Sequence, residues 1–191
     1  MRLSKRGEYG LRALIDLGIA RELGFPMLKI SEISEHERIP IKFLEAILVQ
    51  LKVAGYIDSK RGKHGGVFLK MPMEKISIGN VVRLIDGPLA PIRCASVTAF
   101  QPCSCPDVEH CGLRMLMVDV RNATANILDR YTLADTVEVT LRKIRRDKAP
   151  TPLIRNLSSL LRANRVSIPG RATRLTKKAI PSKRAHRSVK H

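Results

Sequence analysis

A glycine-rich, basic segment in the middle of the chain limits its fold more than any other feature. Residues 56–70 read YIDSKRGKHGGVFLK, in which two short β-prone runs flank the glycines at 62, 65 and 66. Such a pattern predicts a β-hairpin with a basic tip. Three segments before it carry apolar residues at helical intervals. Helix, short helix, longer helix and basic hairpin, in this order, predict a winged helix-turn-helix. The alternative is an ordinary α+β domain with a solvated hairpin.

The helical periodicity also predicts where the helices begin and end. Ser31 is a plausible N-cap for the second helix, Pro40 suits the first turn of the third, and Thr132 fits a cap that starts a short helix. The longest apolar stripe follows the cysteines. Its length favours pairing with a second copy of the chain over packing on the chain's own domain. The predicted helices span about residues 4–23, 31–37, 40–54, 76–87 and 113–131.

The net charge of +18 is concentrated at the carboxyl-terminal end. Residues 1–141 contain 19 Lys and Arg against 16 Asp and Glu, whereas residues 142–191 contain 16 against the single Asp147. From residue 146 onward, Lys, Arg, Ser, Pro and Ala predominate, which predicts a disordered tail that attracts nucleic acid without reading its sequence. No apolar run approaches the roughly 20 residues of a membrane span, so no membrane partner is expected.

All four cysteines lie in one short polar segment, CASVTAFQPCSCPDVEHC, residues 94–111. A metal site, two disulfides and chance placement in a loop are the three explanations. Charged residues interrupt the apolar N-terminus at helical intervals, which indicates an amphipathic helix rather than an export signal. We therefore expect a cytoplasmic protein, in which disulfides rarely persist. The spacing lacks the usual pairs of a zinc knuckle, whereas an iron–sulfur core tolerates looser loops, so a cluster is favoured over zinc, a thiol switch or a vestigial site.

Three segments carry a resemblance to a known family. They are the opening MRLSKRGEYGLRAL, the stretch FLEAILVQLKVAGYIDSKRGKHGGVFL with its S-x-R-G-x-x-G-G hairpin, and the cysteine segment leading into CGLRMLMVDVRNATANILDRYTLAD. Together they span about residues 1–140. They resemble the IscR/NsrR-like (Rrf2-type) family of bacterial winged-helix transcriptional regulators. The resemblance implies a mainly α fold with a small β-hairpin wing and a long dimerisation helix, and a homodimer that binds a palindromic operator in double-stranded DNA.

The resemblance also implies which residues hold a cluster. Cluster-binding members use three cysteines, the last at the start of the dimer helix, where Cys111 stands here, and the first corresponds to Cys94. The middle ligand is either Cys105, which keeps the family's usual spacing to Cys111, or Cys103. The longer loop and the additional thiol of the C-x-C depart from the family pattern. In some members the fourth ligand is a carboxylate from the first helix of the partner subunit. The candidates for that ligand here are Cys103, Glu8 and His110, in that order.

Contacts with DNA follow from the same resemblance. Glu45 matches a recognition-helix residue that discriminates bases in some members, by accepting a hydrogen bond from cytosine N4. Arg61 resembles the wing arginine that enters the minor groove. Arg114 stands where some members place a ligating histidine. The predicted DNA-binding residues are Lys42, Glu45, Arg61, Lys60, Lys63, His64 and Pro40.

The resemblance implies a transcriptional repressor whose operator affinity depends on a 2Fe–2S or 4Fe–4S cluster that senses nitric oxide, redox state or the supply of iron or clusters. The alternative is a cluster-free winged-helix DNA binder with a structural zinc ion or a thiol–disulfide switch. No catalytic arrangement stands out in the sequence, so we do not expect an enzyme. The predicted domains are a winged helix-turn-helix (1–87), a cysteine loop (88–112), the dimerisation helix with a short following helix (113–145) and a basic tail (146–191).

Overall fold

The computed structural model describes residues 3–62 and 65–147 of the chain. Within them the fold is mainly helical with one two-stranded antiparallel sheet, which confirms the predicted fold class. Lys63, His64 and the predicted tail from residue 148 onward lie outside the described residues. None of the helices in the described ranges is long and apolar enough to cross a bilayer. The elements are α1 (Lys5–Glu22), α2 (Ile30–Glu37), α3 (Ile41–Val53), β1 (Ile57–Lys60), β2 (Gly66–Leu69), α4 (Ile78–Asp86), α5 (Gly112–Arg130) and α6 (Leu133–Asp147).

Capping groups set the starts of the first two helices. Ser4 caps α1, because its hydroxyl accepts a hydrogen bond from the Gly7 N–H at 3.1 Å. The second helix begins earlier than predicted, with Lys29 as its N-cap and Ser31 inside the helix. The prediction of a Ser31 cap was wrong because the Glu32 carboxylate accepts from the Lys29 N–H at 2.8 Å and so satisfies that end of the helix.

The helix-turn-helix continues into a small wing. Pro40 is the N-cap of α3, and β1 pairs with β2 from Ile57↔Leu69 to Lys60↔Gly66. The backbone of Leu28, between α1 and α2, exchanges two hydrogen bonds with Val67 at 3.0 and 2.7 Å, which ties the wing to the helical core. A Cβ at Gly66 would lie 2.6 Å from the Leu28 carbonyl oxygen, so only glycine permits this approach. The inward residues of α3, all buried as predicted, are Leu44, Ile47, Leu48 and Leu51.

The carboxyl-terminal helix α6 contributes to the core of the amino-terminal half. It was expected to be short, but it runs for 15 residues and extends to Asp147, past the predicted start of the tail. The Thr132 cap is confirmed, since the Thr132 hydroxyl accepts from the Asp135 N–H at 3.2 Å and the Thr132 N–H donates to the Asp135 carboxylate at 2.8 Å. The apolar face of α6 packs on α1 and joins the same buried cluster as the helix-turn-helix. Its buried residues are Leu133, Val137 and Leu141.

A polar network is buried where α1 meets α2. Asp16 is only 2% exposed, and its Oδ2 lies 2.8 Å from Nδ1 of His36. Oε1 of Glu37 lies 3.5 Å from the same nitrogen, and the Arg12 guanidinium pairs with the Glu37 carboxylate and donates to its carbonyl oxygen. A carboxylate buried this deeply is tolerated only when it is paired, so the network joins the two helices through charge as well as apolar packing.

This network predicts a stability that depends on pH. The bond to Asp16 raises the pKa of His36 above its usual value, and burial raises the pKa of Asp16 to about 6 against the opposing effect of His36. Both groups therefore bind protons more tightly in the folded than in the unfolded chain. The contribution of His36 is complete below the unfolded pKa of 6.5 and is lost as pH rises through the higher folded value. We expect the free energy of unfolding to fall over this range more steeply than in a His36→Gln variant.

Urea unfolding followed by circular dichroism between pH 5.5 and 8.5 measures this difference. His110→Gln is the control, because His110 is exposed and its variant should keep the slope of the original chain. If the free energies of unfolding of His36→Gln and of the original chain change in parallel with pH, the network does not exchange protons on folding.

Candidate DNA interface and cysteine site

The start of α3 presents polar side chains to solvent beside the N-cap Pro40. The side chain of Lys42 is 90% exposed and that of Glu45 is 43% exposed, and the two form an ion pair at 3.2 Å. An ion pair between exposed groups at this spacing is weak, so either side chain can exchange its partner for a DNA group. The amino-terminal residues of a recognition helix are the ones that contact base edges. Pro40, Lys42 and Glu45 therefore stand where the sequence predicted DNA contacts.

Polar contacts join the wing to the end of α3. Nζ of Lys52 contacts Asp58 Oδ1 and the Ser59 hydroxyl, each at 2.8 Å, which joins the end of α3 to β1. The ion pair holds the pKa of Asp58 below its usual value. Lys60 and Arg61 are exposed at the end of β1. We call α3 residues 40–46 and wing residues 60–61 the recognition surface.

The structure gathers the four cysteines of the loop at the base of α5. Cys94 is buried in a short 3-10 turn, Cys103 and Cys111 are half-buried, and Cys105 is exposed. Cys111 is also the N-cap of α5, and its carbonyl oxygen accepts from the Met115 N–H at 3.1 Å. All four thiols are free. The two candidates for the middle ligand, Cys103 and Cys105, thus both remain free thiols of the same loop as Cys94 and Cys111.

We call Cys94, Cys103, Cys105 and Cys111 the thiol row, after their order along the loop. The interaction of the Cys103 and Cys105 side chains lowers the pKa of Cys103 and raises that of Cys105 to about 11. Burial raises the pKa of the Cys94 thiol. The four thiols influence one another's pKa values, and none of them forms a disulfide.

The other two candidates for a fourth ligand already have partners within this chain. The Glu8 carboxylate contacts Lys5 at 2.8 Å and Arg12 at 3.3 Å, and the hydrogen bond from Lys5 lowers its pKa. Nδ1 of His110 lies 2.8 Å from Asp107 Oδ2, and the imidazole is largely exposed. Neither side chain is part of the thiol row described here.

Helix α5 follows the cysteine loop, and much of its apolar face is exposed in the described structure. None of its 19 residues is buried, although it packs on α4. The one strong polar link is a bidentate pair between Arg83 of α4 and Asp129, at 2.6 and 2.7 Å. That pair lowers the pKa of Asp129. Large apolar side chains that stay exposed along α5 are Leu113, Met115, Leu116, Val120 and Ile127.

Comparison with known proteins establishes the family. The family model of Rrf2, described as an iron-dependent transcriptional regulator, matches residues 3–139. The chain belongs to the Rrf2 family of transcriptional regulators. It is 37% identical over 135 residues to an rrf2-like HTH-type regulator of Rhodobacter capsulatus, covering 70% of this chain and 90% of that one. It is 35% identical over 135 residues to protein rrf2 of Nitratidesulfovibrio vulgaris, covering 71% and 86%. These relatives are regulators, in agreement with the expectation that the chain is not an enzyme.

Solved structures of Rrf2-type regulators share the fold. CymR, the global cysteine regulator of B. subtilis, has a TM-score of 0.60 at 25% identity, covering 73% of this chain and 98% of CymR. IscR of T. potens has a TM-score of 0.57 at 23% identity, covering 73% of this chain and 88% of IscR, which shows a common fold. The fold is therefore shared with a global cysteine regulator as well as with IscR, so the fold alone does not decide what this chain senses.

From the sequence, Arg114 was of interest only because it stands where some members of the Rrf2 family have a ligating histidine. The structure shows that Arg114 Nε donates to the Cys94 carbonyl oxygen at 3.0 Å, which joins the first turn of α5 to the 3-10 turn of Cys94. Sequence reasoning also missed Asp16, His36 and Glu37, whose ligand atoms all lie within 4.8 Å of one another. Their ion pairs with each other and with Arg12 account for this second group. Neither arrangement has a local sequence signal.

Arg114→Ala should loosen the turn around Cys94. A hydrogen bond from a charged group contributes about 1.5 kcal/mol, so we expect amide exchange of residues 93–96 to become roughly tenfold faster in the metal-free protein. Hydrogen exchange with mass spectrometry measures this change. Arg121→Ala is the matched control, because Arg121 lies on the same helix and its side chain donates a hydrogen bond to its neighbour Asn122 rather than to the turn of Cys94. Equal exchange in both variants would mean that Arg114 does not hold the turn.

Proposed function

We propose that this Rrf2-family regulator binds a palindromic operator as a homodimer and that an iron–sulfur cluster in the cysteine loop controls its affinity. The observation that supports the proposal most strongly is the row of four free thiols at the base of α5. Thiolates are the protein ligands that hold such clusters. The cluster would supply a redox- or nitric-oxide-sensitive inorganic core. In the chain, the cysteine loop that would hold the cluster lies between the DNA-binding helices and α5.

The spacing of the thiols favours a cluster over a single zinc ion. A tetrahedral zinc site needs four ligand atoms around one ion at about 2.3 Å for each sulfur, so its sulfurs lie close to one another. In the described ranges, the one group of three or more candidate ligands that lie mutually within 4.8 Å is the Asp16 group, and no three thiols meet this criterion. Sulfurs spread more widely than a zinc site requires suit ligands distributed around a larger core. The donor set therefore fits an iron–sulfur cluster.

Cys103 is the fourth ligand that we favour. It is a free, half-buried thiol of the same loop, and its side chain interacts with those of Cys94 and Cys105, so the cluster could be held by Cys94, Cys103, Cys105 and Cys111 of one chain. Glu8 would first have to leave Lys5 and Arg12. His110 would have to leave Asp107. An all-thiolate site would distinguish this chain from members that take a carboxylate from the partner subunit.

Contacts in this structure can carry a change at the loop to the DNA-binding helices. Cys111 starts α5 and Arg114 joins α5 to Cys94, while Arg83 and Asp129 join α5 to α4. At the end of α4, Asp86 accepts from the Ser4 N–H at 2.8 Å, beside the start of α1. Movement of α5 would alter the distance between two recognition helices in a dimer. Since half-site spacing is fixed by the DNA, a small rotation is enough to reduce affinity.

The exposed face of α5 supports the homodimer. A 19-residue helix with several exposed apolar side chains and no buried residue lacks enough packing within its own chain. Leu113, Leu116, Val120 and Ile127 follow one another at intervals of three, four and seven, which places them on one face and suits an antiparallel or crossed helix pair. A second copy supplies an identical face, and a two-fold dimer matches a palindromic operator.

The competing proposal is a cluster-free thiol switch. The fold is shared with CymR of Staphylococcus aureus, whose structure has been solved in an oxidised form, at 30% identity and a TM-score of 0.55. Contact between Cys103 and Cys105 would allow oxidation of this pair. Such a switch would need no metal, so metal analysis separates the two proposals.

We expect the full chain, purified without oxygen, to be brown, with iron and acid-labile sulfide in equal amounts and little zinc. Cys103→Ser should lose most of the cluster, whereas the matched Glu8→Gln should retain it, because Cys103 lies in the thiol row and Glu8 does not. Operator affinity should differ about 10- to 100-fold between cluster-bound and cluster-free protein. The reverse result for the two variants would assign the fourth position to Glu8 of the partner subunit. A colourless protein would favour the thiol switch or zinc.

Leu116→Glu should convert the dimer to monomers at micromolar concentration, since it places a charge in the centre of the apolar face of α5. Sedimentation velocity gives the oligomeric state. Arg121→Glu is the control, because Arg121 lies on a different side of the same helix and its replacement should leave the dimer intact. A dimeric Leu116→Glu variant would move the interface away from α5.

A further inference from the structure

An open apolar groove lies between the starts of α1 and α3, next to the predicted base-reading residue Glu45. It has a volume of about 580 Å³. Phe43 is 37% exposed and forms a T-shaped pair with Tyr9, with ring centroids 5.8 Å apart, and Ala46 is exposed one turn further along α3. The lining residues are Lys5, Tyr9, Pro40, Lys42, Phe43 and Ala46.

The position of this groove points to DNA as its occupant. Three of its residues, Lys42, Phe43 and Ala46, lie in the first two turns of α3, the part of a recognition helix that faces base edges. Lys5 and Lys42 stand at its rim with their side chains 65% and 90% exposed, so the apolar surface is flanked by positive charge. Backbone phosphates on either side of a base edge would complement this charge.

An apolar patch in the major groove has one natural partner among the bases. Thymine alone presents a methyl group there, and phenylalanine and alanine side chains are among those that contact it. Glu45 neighbours Ala46 in the chain and is ion-paired with Lys42, so a base read by Glu45 and a base lying on the groove would be close together in the duplex. The T-shaped contact with Tyr9 holds the Phe43 ring in place before DNA binds.

We propose that Phe43 and Ala46 are specificity-determining residues that contact the methyl group of one thymine in each half-site, next to the base that Glu45 reads. This inference rests on the proposed operator binding and adds a base preference to it. In this case the methyl group alone accounts for the preference for thymine. A hydrogen bond to the same base would not depend on the methyl group. The occupant that competes with DNA is a second copy of the chain covering the groove.

Replacing thymine by uracil tests the proposal, because uracil lacks only the methyl group. The full chain, purified without oxygen, is first used to select duplexes from a random library, and each thymine of the selected duplex is then replaced in turn. We expect one position in each half-site to lose affinity about fourfold, equivalent to about 0.8 kcal/mol for one methyl group. Uracil at the other positions should have little effect.

Variants identify the side chains that read the methyl group. Phe43→Ala should bind the thymine and uracil duplexes equally, and Ala46→Gly should reduce the difference, whereas Val53→Ala, a truncation of an 85% exposed side chain on the same helix, should keep it. The uracil series on the original chain requires no variant to fold, and thermal unfolding checks Phe43→Ala.

Each contrary result overturns the inference in a recognisable way. If no thymine is sensitive, or if Phe43→Ala keeps the full sensitivity, the groove does not read a methyl group, although operator binding stands. If Phe43→Ala dissociates the dimer and no thymine is sensitive, a second copy occupies the groove. If no duplex is selected above the random pool, the inference fails together with the proposed operator binding.

Discussion

The close packing around α1 is the constraint on which the other features depend. This helix contacts α3 on one side and α4 and α6 on others, so it lies at the centre of the described structure. A Cβ at Gly18 would lie 2.5 Å from a methyl carbon of Val137, so the small residue lets α6 approach the backbone of α1 directly. Because α1 is surrounded in this way, the recognition surface, the end of α4 and helix α6 form one packed unit.

Because the helices pack closely around α1, a few polar contacts are enough to orient the elements that bind DNA. The Asp16–His36 pair fastens α2 to α1, and the Lys52–Asp58 pair fastens the wing to α3. Each contact is modest, but together they fix how the recognition helix and the wing face a duplex. In contrast, α5 packs on α4, through one bidentate ion pair, and on the 3-10 turn of Cys94, through Arg114, and it carries the cysteine loop at its start. The parts proposed to sense a signal are thus the parts least embedded in the core, as elements that move generally are.

Much of the organisation could be predicted from the sequence, since its signals are local. Helical periodicity located α1, α3 and α5, and the glycines at 62, 65 and 66 marked the hairpin. The clustering of thiols predicted one constellation, because four residues within 18 positions of a loop must lie near one another. The cap at Thr132 was correct, whereas the cap at Ser31 failed because a competing carboxylate, Glu32, satisfies the preceding N–H.

The sequence by itself determined the element order, the basic wing and the presence of a cysteine site, because periodicity, turn-forming residues and ligand spacing act over a few residues. Only the tertiary structure decided that α6 completes the core around α1, that Arg114 holds the turn of Cys94, and that Tyr9 and Phe43 line a groove beside Glu45. These contacts join residues 20 to more than 100 positions apart. No local pattern encodes such pairs, since they form only when separate helices pack and bury their faces together.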